Sequence, residues 1–285
     1  MTTAPAVTAA TREDLEKLVV EADLGGRKPH GGVGKLLTAI AIAWSLFQLW
    51  YASPLPFLFN VGILNDTSAR GFHLCFAFAL AFLAFPALAS SSRTRVPLYD
   101  WLLALAAITA VLYLVVLQQG LALRPGLPTA ADIVASVLGV LLLLEASRRA
   151  EGPWMPVISI LCLFYVFAGP YLPGLLAHKG SSVSRAASHF WLTSEGVFGV
   201  ALGVATNFIF LFVLFGALLE RAGAGSYFIQ LAFSLLGQFR GGPAKAAVVS
   251  SGLTGMISGS SVANVVTTGT FTIPLMKRVG YTPVQ

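Results

Sequence analysis

Hydrophobic residues arrive in long blocks along this chain, at neither the two-residue alternation of a half-buried strand nor the spaced stripe of a surface helix. Six blocks, near 33–53, 71–90, 98–119, 131–148, 153–173 and 195–220, reach the length needed to cross a bilayer, about 20 residues. They predict an all-α polytopic membrane protein with about six transmembrane helices. A shorter apolar run, 226–239, ends at the breaker Arg240-Gly241-Gly242-Pro243 and predicts an interfacial arm helix instead of a crossing. Within 243–276, two apolar arms of roughly 12 and 15 residues are joined at Ser258-Gly259-Ser260-Ser261, and neither arm alone can span.

Composition strengthens the membrane reading. Of 285 residues, 56% are hydrophobic and 11% charged, against roughly 25% charged in soluble domains. The formal charge is +6, but the basic residues stand singly between apolar blocks, which excludes the patch or stripe a nucleic acid needs. Their distribution reads as topology. Arg93, Arg95, Arg148, Arg149, Arg221, Arg240 and Lys245 fall on one set of alternating loops and predict a cytoplasmic N-terminus. The loop 174–194, with Lys179 and Arg185 on the other side, predicts an interfacial helix. Residues 1–31 are polar and mixed in charge, through Arg27 and Lys28, and read as a solvated cytoplasmic arm with a helix capped at Thr11. No secretory signal pattern opens it. Cys75 and Cys162 lie inside apolar blocks and read as buried small side chains.

Candidate chemistry concentrates in 243–276. Broken backbone at membrane depth is tolerated only where it is buried in protein or lines a cavity, and transporters use such half-helix ends to hold substrate and ions. Lys245 before the arms and Lys277-Arg278 after them return both ends to the cytoplasmic face in a re-entrant hairpin. Ser260, Ser261, Asn264, Thr267 and Thr268 follow a three-to-four spacing that places them on one helical face. With carbonyls freed at Ser258 and Gly259, that face offers neutral oxygens suited to a hard cation such as Na+. The helix N-terminus beside it favours a carboxylate. A plainer alternative stands on the same residues: small side chains, with Gly255 and Gly259 forming a GxxxG pair, let helices approach closely.

The run Gly241-Gly242-Pro243-Ala244-Lys245, then Ile257 through Gly269, then Ile273-Pro274-Leu275-Met276-Lys277, resembles the large membrane subunit of TRAP transporters. Upstream, Leu144 to Arg149, Pro173 to His178 and Leu192 to Gly199 are similar to the fused-permease branch that works with TAXI-type binding proteins. The resemblance covers most of the chain after Gly25. It implies three regions: an N-terminal arm (1–31), a four-helix small-subunit-like domain (32–150), and the start of a large-subunit-like, elevator-type transport domain (151–285). It further implies sodium-coupled symport of a small organic acid across a bacterial inner membrane, delivered by a periplasmic TAXI-type solute-binding protein. Substrate and ion contacts are implied at Ser258, Gly259, Ser260, Ser261, Asn264, Thr267 and Thr268, with Na+ at Ser260, Ser261, Asn264 and Thr267. The large subunit of this family continues into a second inverted half with its own hairpin, so this sequence is expected to hold half of the site.

Other motifs weigh less. Gly31-Gly32-Val33-Gly34-Lys35-Leu36 fails a phosphate loop at Pro29 and Leu36. Gly259-Ser260-Ser261-Val262-Ala263 lacks the last glycine of a nucleophile elbow. Glu145 lies four residues before Arg149, spaced for an intrahelical ion pair, with a proton relay as the rival use. Asp100 and Asp132 sit at helix starts, where they stabilise the N-terminus. His73, His178 and His189 show no metal spacing and read as interfacial or packing residues. The competing classes, a non-transporting membrane scaffold or regulatory subunit and an intramembrane enzyme, leave the polar turn between the two short arms without a purpose.

Overall fold

The computed structural model describes residues 26–27, 29, 31–88, 90–257, 261–278 and 280, and every regular element among them is helical. In chain order these are α1 (Gly32–Ala52), α2 (Leu55–Phe59), α3 (Asp66–Ala84), α4 (Leu98–Ala122), α5 (Ala130–Ala150), α6 (Trp154–Ala168), α7 (Val183–Ala187), α8 (Val200–Arg221), α9 (Ala224–Leu236), α10 (Gly242–Gly255) and α11 (Ser261–Arg278). Six of them, α1, α3, α4, α5, α6 with its 3-10 extension to Tyr171, and α8, are long and apolar enough to cross a membrane. The all-α polytopic class expected from the apolar blocks is therefore what the chain adopts.

Boundaries differ from the expected ones where polar residues act. The second span was expected over 71–90 and runs Asp66–Ala84. The Asn65 side chain accepts the Ser68 N–H at 2.8 Å and starts the helix early. Pro86 then stops it, because the residue before a proline is pushed out of the helical region. Likewise α8 begins at Val200, not 195, since Thr193–Gly199 form a turn whose Phe198 carbonyl accepts from Arg70 at 2.8 Å. The expected interfacial helix in 174–194 is short. It is α7, widening into a π-turn over Ser188–Leu192 that drives Trp191 into the core.

The unit Gly26–Leu211 has its own core, made by Phe78 and Phe82 of α3, Ala104, Ala107 and Val111 of α4, Leu142 and Ala146 of α5, and Trp191 with Phe198. Alanines at three-residue spacing on α4 present no bulk, so neighbouring backbones come close, as small residues allow in membranes. Gly139 is a stricter case. A Cβ there would lie 2.2 Å from the Trp191 ring, and the indole Nε1 donates to the Ala110 carbonyl at 3.3 Å.

One end of this unit is closed by charge. Asp100, at the start of α4 and fully buried, accepts from Arg149 at 2.6 Å and pairs with Arg27. Arg27 also donates to the carbonyls of Phe82, Leu83 and Ser92. Glu145 holds Arg149 and Arg148, each at 2.7 Å, which bears out the expected intrahelical pair. Arg149 further stacks on the Phe82 ring, 5.0 Å from its centroid. Two expectations are corrected here. Arg27 is a buried ligand of the helix bundle and not part of a solvated arm, and Asp100 does far more than stabilise a helix start. Thr11, in the expected arm helix, lies outside the described residues. Asp132 does act at its helix start, completing a capping box with Thr129. It also accepts from Tyr113 at 2.7 Å and pairs with Arg124.

The unit beginning at Phe212 holds the second half of α8 and α9 to α11, with α9 packed on α10 and α10 on α11. The helix expected over 226–239 is α9.

Because Asp100 neutralises two buried guanidinium groups, Asp100→Ala strands both and should cost about 3–5 kcal/mol. Thermal unfolding in detergent checks this as a large fall in Tm, whereas Glu145→Ala, at a half-exposed position, lowers it less.

Candidate functional site

The site is built from α10 and α11, and it begins with a spacing. On α11, Asn264, Thr268 and Thr272 recur every four residues and share a face. Thr268 and Thr272 are buried, and each hydroxyl donates back to the carbonyl four residues earlier, Thr268 to Asn264 at 2.7 Å and Thr272 to Thr268 at 2.8 Å. This local bonding is how a threonine lives inside an apolar environment without a partner on another helix. On α10, Ser250 and Thr254 are likewise four apart and buried. Ser250 satisfies itself on the Ala247 carbonyl at 3.0 Å.

Asn264 joins the two arms. Its Nδ2 donates to the Ser251 carbonyl at 3.1 Å and to the Ser251 hydroxyl at 3.3 Å. Gly255 makes room for this bridge, since a Cβ there would sit 3.2 Å from Asn264 Nδ2. Two oxygens are left over: Asn264 Oδ1 and Thr254 Oγ1 are buried without a hydrogen-bond partner among the described residues. A buried acceptor with no donor costs about 1–3 kcal/mol. Each is an uncharged oxygen that a cation or a water can satisfy. The proline inside α11, Pro274, frees a further carbonyl one turn before it.

Of the residues expected from sequence, the structure brings Asn264 and Thr268 onto one buried face. Ser261 and Thr267 belong to α11 by their backbone, and their side chains lie outside the described residues, as do Ser258, Gly259 and Ser260 altogether. The α10 contribution, Ser250, Ser251 and Thr254, was missed, as was Thr272. The signal lies in the same four-residue spacing of hydroxyls, Ser250 to Thr254 and Thr268 to Thr272, which is indistinguishable in sequence from a stripe of small packing residues. The arms are also longer than expected, 14 and 18 residues.

A family model described as the tripartite ATP-independent periplasmic transporter, DctM component, matches residues 138–285. The chain belongs to this family. The match contains the whole α10–α11 pair, and it places the chain in a transporter family, not an enzyme family. A curated relative, the uncharacterized protein y4mL of Sinorhizobium fredii (strain NBRC 101917 / NGR234), is 39% identical over 72 residues, which is 25% of this chain and 17% of y4mL. The chain therefore spans only a small part of that relative. No solved structure matches. In this DctM-family chain the two oxygens without a partner among the described residues lie on the α10–α11 pair, inside the matched range.

Interhelical hydrogen bonds in membranes contribute about 0.6 kcal/mol on average, so Asn264→Leu should loosen the pairing of α10 with α11 modestly. Amide exchange measured over 246–255 is expected to speed about threefold, the factor that corresponds to that energy at 25 °C. Ser251→Ala, which keeps the backbone acceptor, should change it much less.

Proposed function

We propose that this chain carries the first ion and substrate half-site of a TRAP-type permease, importing a small organic acid with Na+. The observation that supports this reading most is that Asn264 Oδ1 and Thr254 Oγ1, on two packed arms, are each buried without a hydrogen-bond partner among the described residues, in a chain of a transporter family. Na+ is a hard cation that takes neutral oxygens from hydroxyls, amides and carbonyls, the groups that line this seam. Ser258, Gly259, Ser260, Ser261, Thr267 and Thr268 complete the proposed set. The amino end of α11 favours the carboxylate of the substrate. On this reading α10 and α11 form a re-entrant hairpin entered from the cytoplasmic face. The N-terminus is cytoplasmic, and the membrane is the bacterial inner membrane. A periplasmic solute-binding protein of the TAXI type delivers the substrate, and residues 32–150 act as the fused small subunit. Dicarboxylates and acidic amino acids such as glutamate are the proposed substrate class.

The test uses the complete permease in liposomes with its binding protein and radiolabelled glutamate or a four-carbon dicarboxylate. An inward Na+ gradient should stimulate uptake, and Asn264→Ala should cut that stimulation at least tenfold while the protein stays folded. Unchanged uptake in Asn264→Ala returns the pair to a scaffold of closely packed small residues. Turnover of substrate without any gradient points instead to an enzyme.

A further inference from the structure

Arg27, Pro29 and the first turns of α1 line a cavity of about 730 Å³, inside the unit Gly26–Leu211. Small-molecule sites run from roughly 300 to 1,000 Å³, so this one takes a headgroup-sized molecule and not merely a single ion. Its lining changes character along α1. Lys35, Thr38 and Ile42 all line it and are spaced three and then four residues apart, which puts them on one face of the helix. From Lys35 to Ile42 the helix rises about 10 Å. Over that distance the wall passes from a charge through a hydroxyl to hydrocarbon, and Leu37 adds to the apolar part.

The charged end of the cavity is out of balance. Arg27 is 6% exposed and belongs to the cluster in which Asp100 and Glu145 face Arg27, Arg148 and Arg149. Two carboxylates against three guanidinium groups leave one positive charge over. Lys35, exposed on the cavity wall, adds another. Arg93 and Arg95 are exposed as well, in the loop whose Ser92 carbonyl accepts from Arg27 at 3.2 Å. Glu151, exposed at the end of α5, offsets only one of these charges. A cation drawn out of water needs an anion beside it. Phosphate from solution would answer the charge and leave the apolar wall bare, whereas a lipid answers both. Lipid is also what surrounds α1, a span on which Leu36, Ile42, Leu46 and Leu49 are all exposed.

We infer that this cavity binds an anionic phospholipid: its phosphate meets Lys35 and the surplus charge around Arg27, and an acyl chain lies along Leu37 and Ile42. Basic pockets at the membrane-surface ends of helices take such headgroups. A zwitterionic lipid brings an ammonium to the same cations and loses the advantage. The bound lipid supplies the negative charge that the Arg27 cluster lacks and ties the segment before α1 to the bilayer. None of these residues belongs to α10 or α11, so failure here is separate from failure of the uptake test above.

The test uses the full chain with Cys75→Ala and Cys162→Ala, and a bimane fluorophore on Thr38→Cys, an exposed position of the cavity wall. It is reconstituted in phosphatidylcholine vesicles containing a minor fraction of brominated phosphatidylglycerol or of brominated phosphatidylcholine, whose chains quench the bimane on contact. A basic residue near a membrane surface gives about a fivefold preference for anionic lipid. With Lys35 and the cluster surplus together, the brominated phosphatidylglycerol should quench with an affinity more than about fivefold higher, and Lys35→Gln should remove about a factor of five. A bimane on Leu46→Cys, on the same helix outside the cavity, should show no preference. Excess inorganic phosphate should leave the quenching at position 38 unchanged. Equal quenching by the two lipids at position 38, the same preference at position 46, or a preference that survives Lys35→Gln overturns the inference. So does displacement by phosphate, which marks a site for a soluble anion, or absence of quenching by either lipid, which marks a cavity filled by protein.

Discussion

Hydrocarbon offers no hydrogen-bond partner, so any carbonyl that leaves its own helix must find a donor inside the protein. The polar side chains of this chain are placed by that constraint. Arg27 serves the carbonyls at the end of α3, Arg70 the turn before α8, Gln48 the Thr206 carbonyl in a π-turn within α8, and Trp191 a carbonyl of α4. Each donor stands on a different element from its acceptor. At these four places a side chain from another element makes the irregularity tolerable.

The charged end of the first unit follows the same logic with larger energies. A lone buried guanidinium or carboxylate is prohibitive, and Asp100 is acceptable because Arg149 and Arg27 both face it. Glu145 then pairs with both Arg149 and Arg148, so that two carboxylates face three guanidinium groups. The cluster ties the segment before α1 to the ends of α3, α4 and α5. The α10–α11 pair contrasts with it. It is lined by neutral oxygens, it uses hydroxyls that satisfy themselves locally, and two of its oxygens have no partner among the described residues.

Much of this was legible from residue order, because the signals are local. Apolar blocks located six spans within a few residues, the Glu145–Arg149 pair followed from its spacing, and the role of Asp132 followed from its place at a helix start. The motif around Asn264 carries the family resemblance within one contiguous segment. Where expectation failed, the decisive contact joined residues far apart. Arg27 looked like part of a solvated arm because its partner, Asp100, is 73 positions away. The loop 174–194 gave no sign that its Trp191 is buried, because the notch that receives it is Gly139 on another helix.

By itself the sequence determined what depends on a single segment: which stretches are helices, which can cross a membrane, where caps and prolines end them, and which hydroxyls and amides share a face. Tertiary structure alone decided which polar group answers which. Gln48, His73 and Thr206 carry no joint signal, since hydrogen-bond complementarity across 158 positions has no periodicity to read. The physical reason is that burial creates the demand for a partner, and burial is a property of the assembled helices.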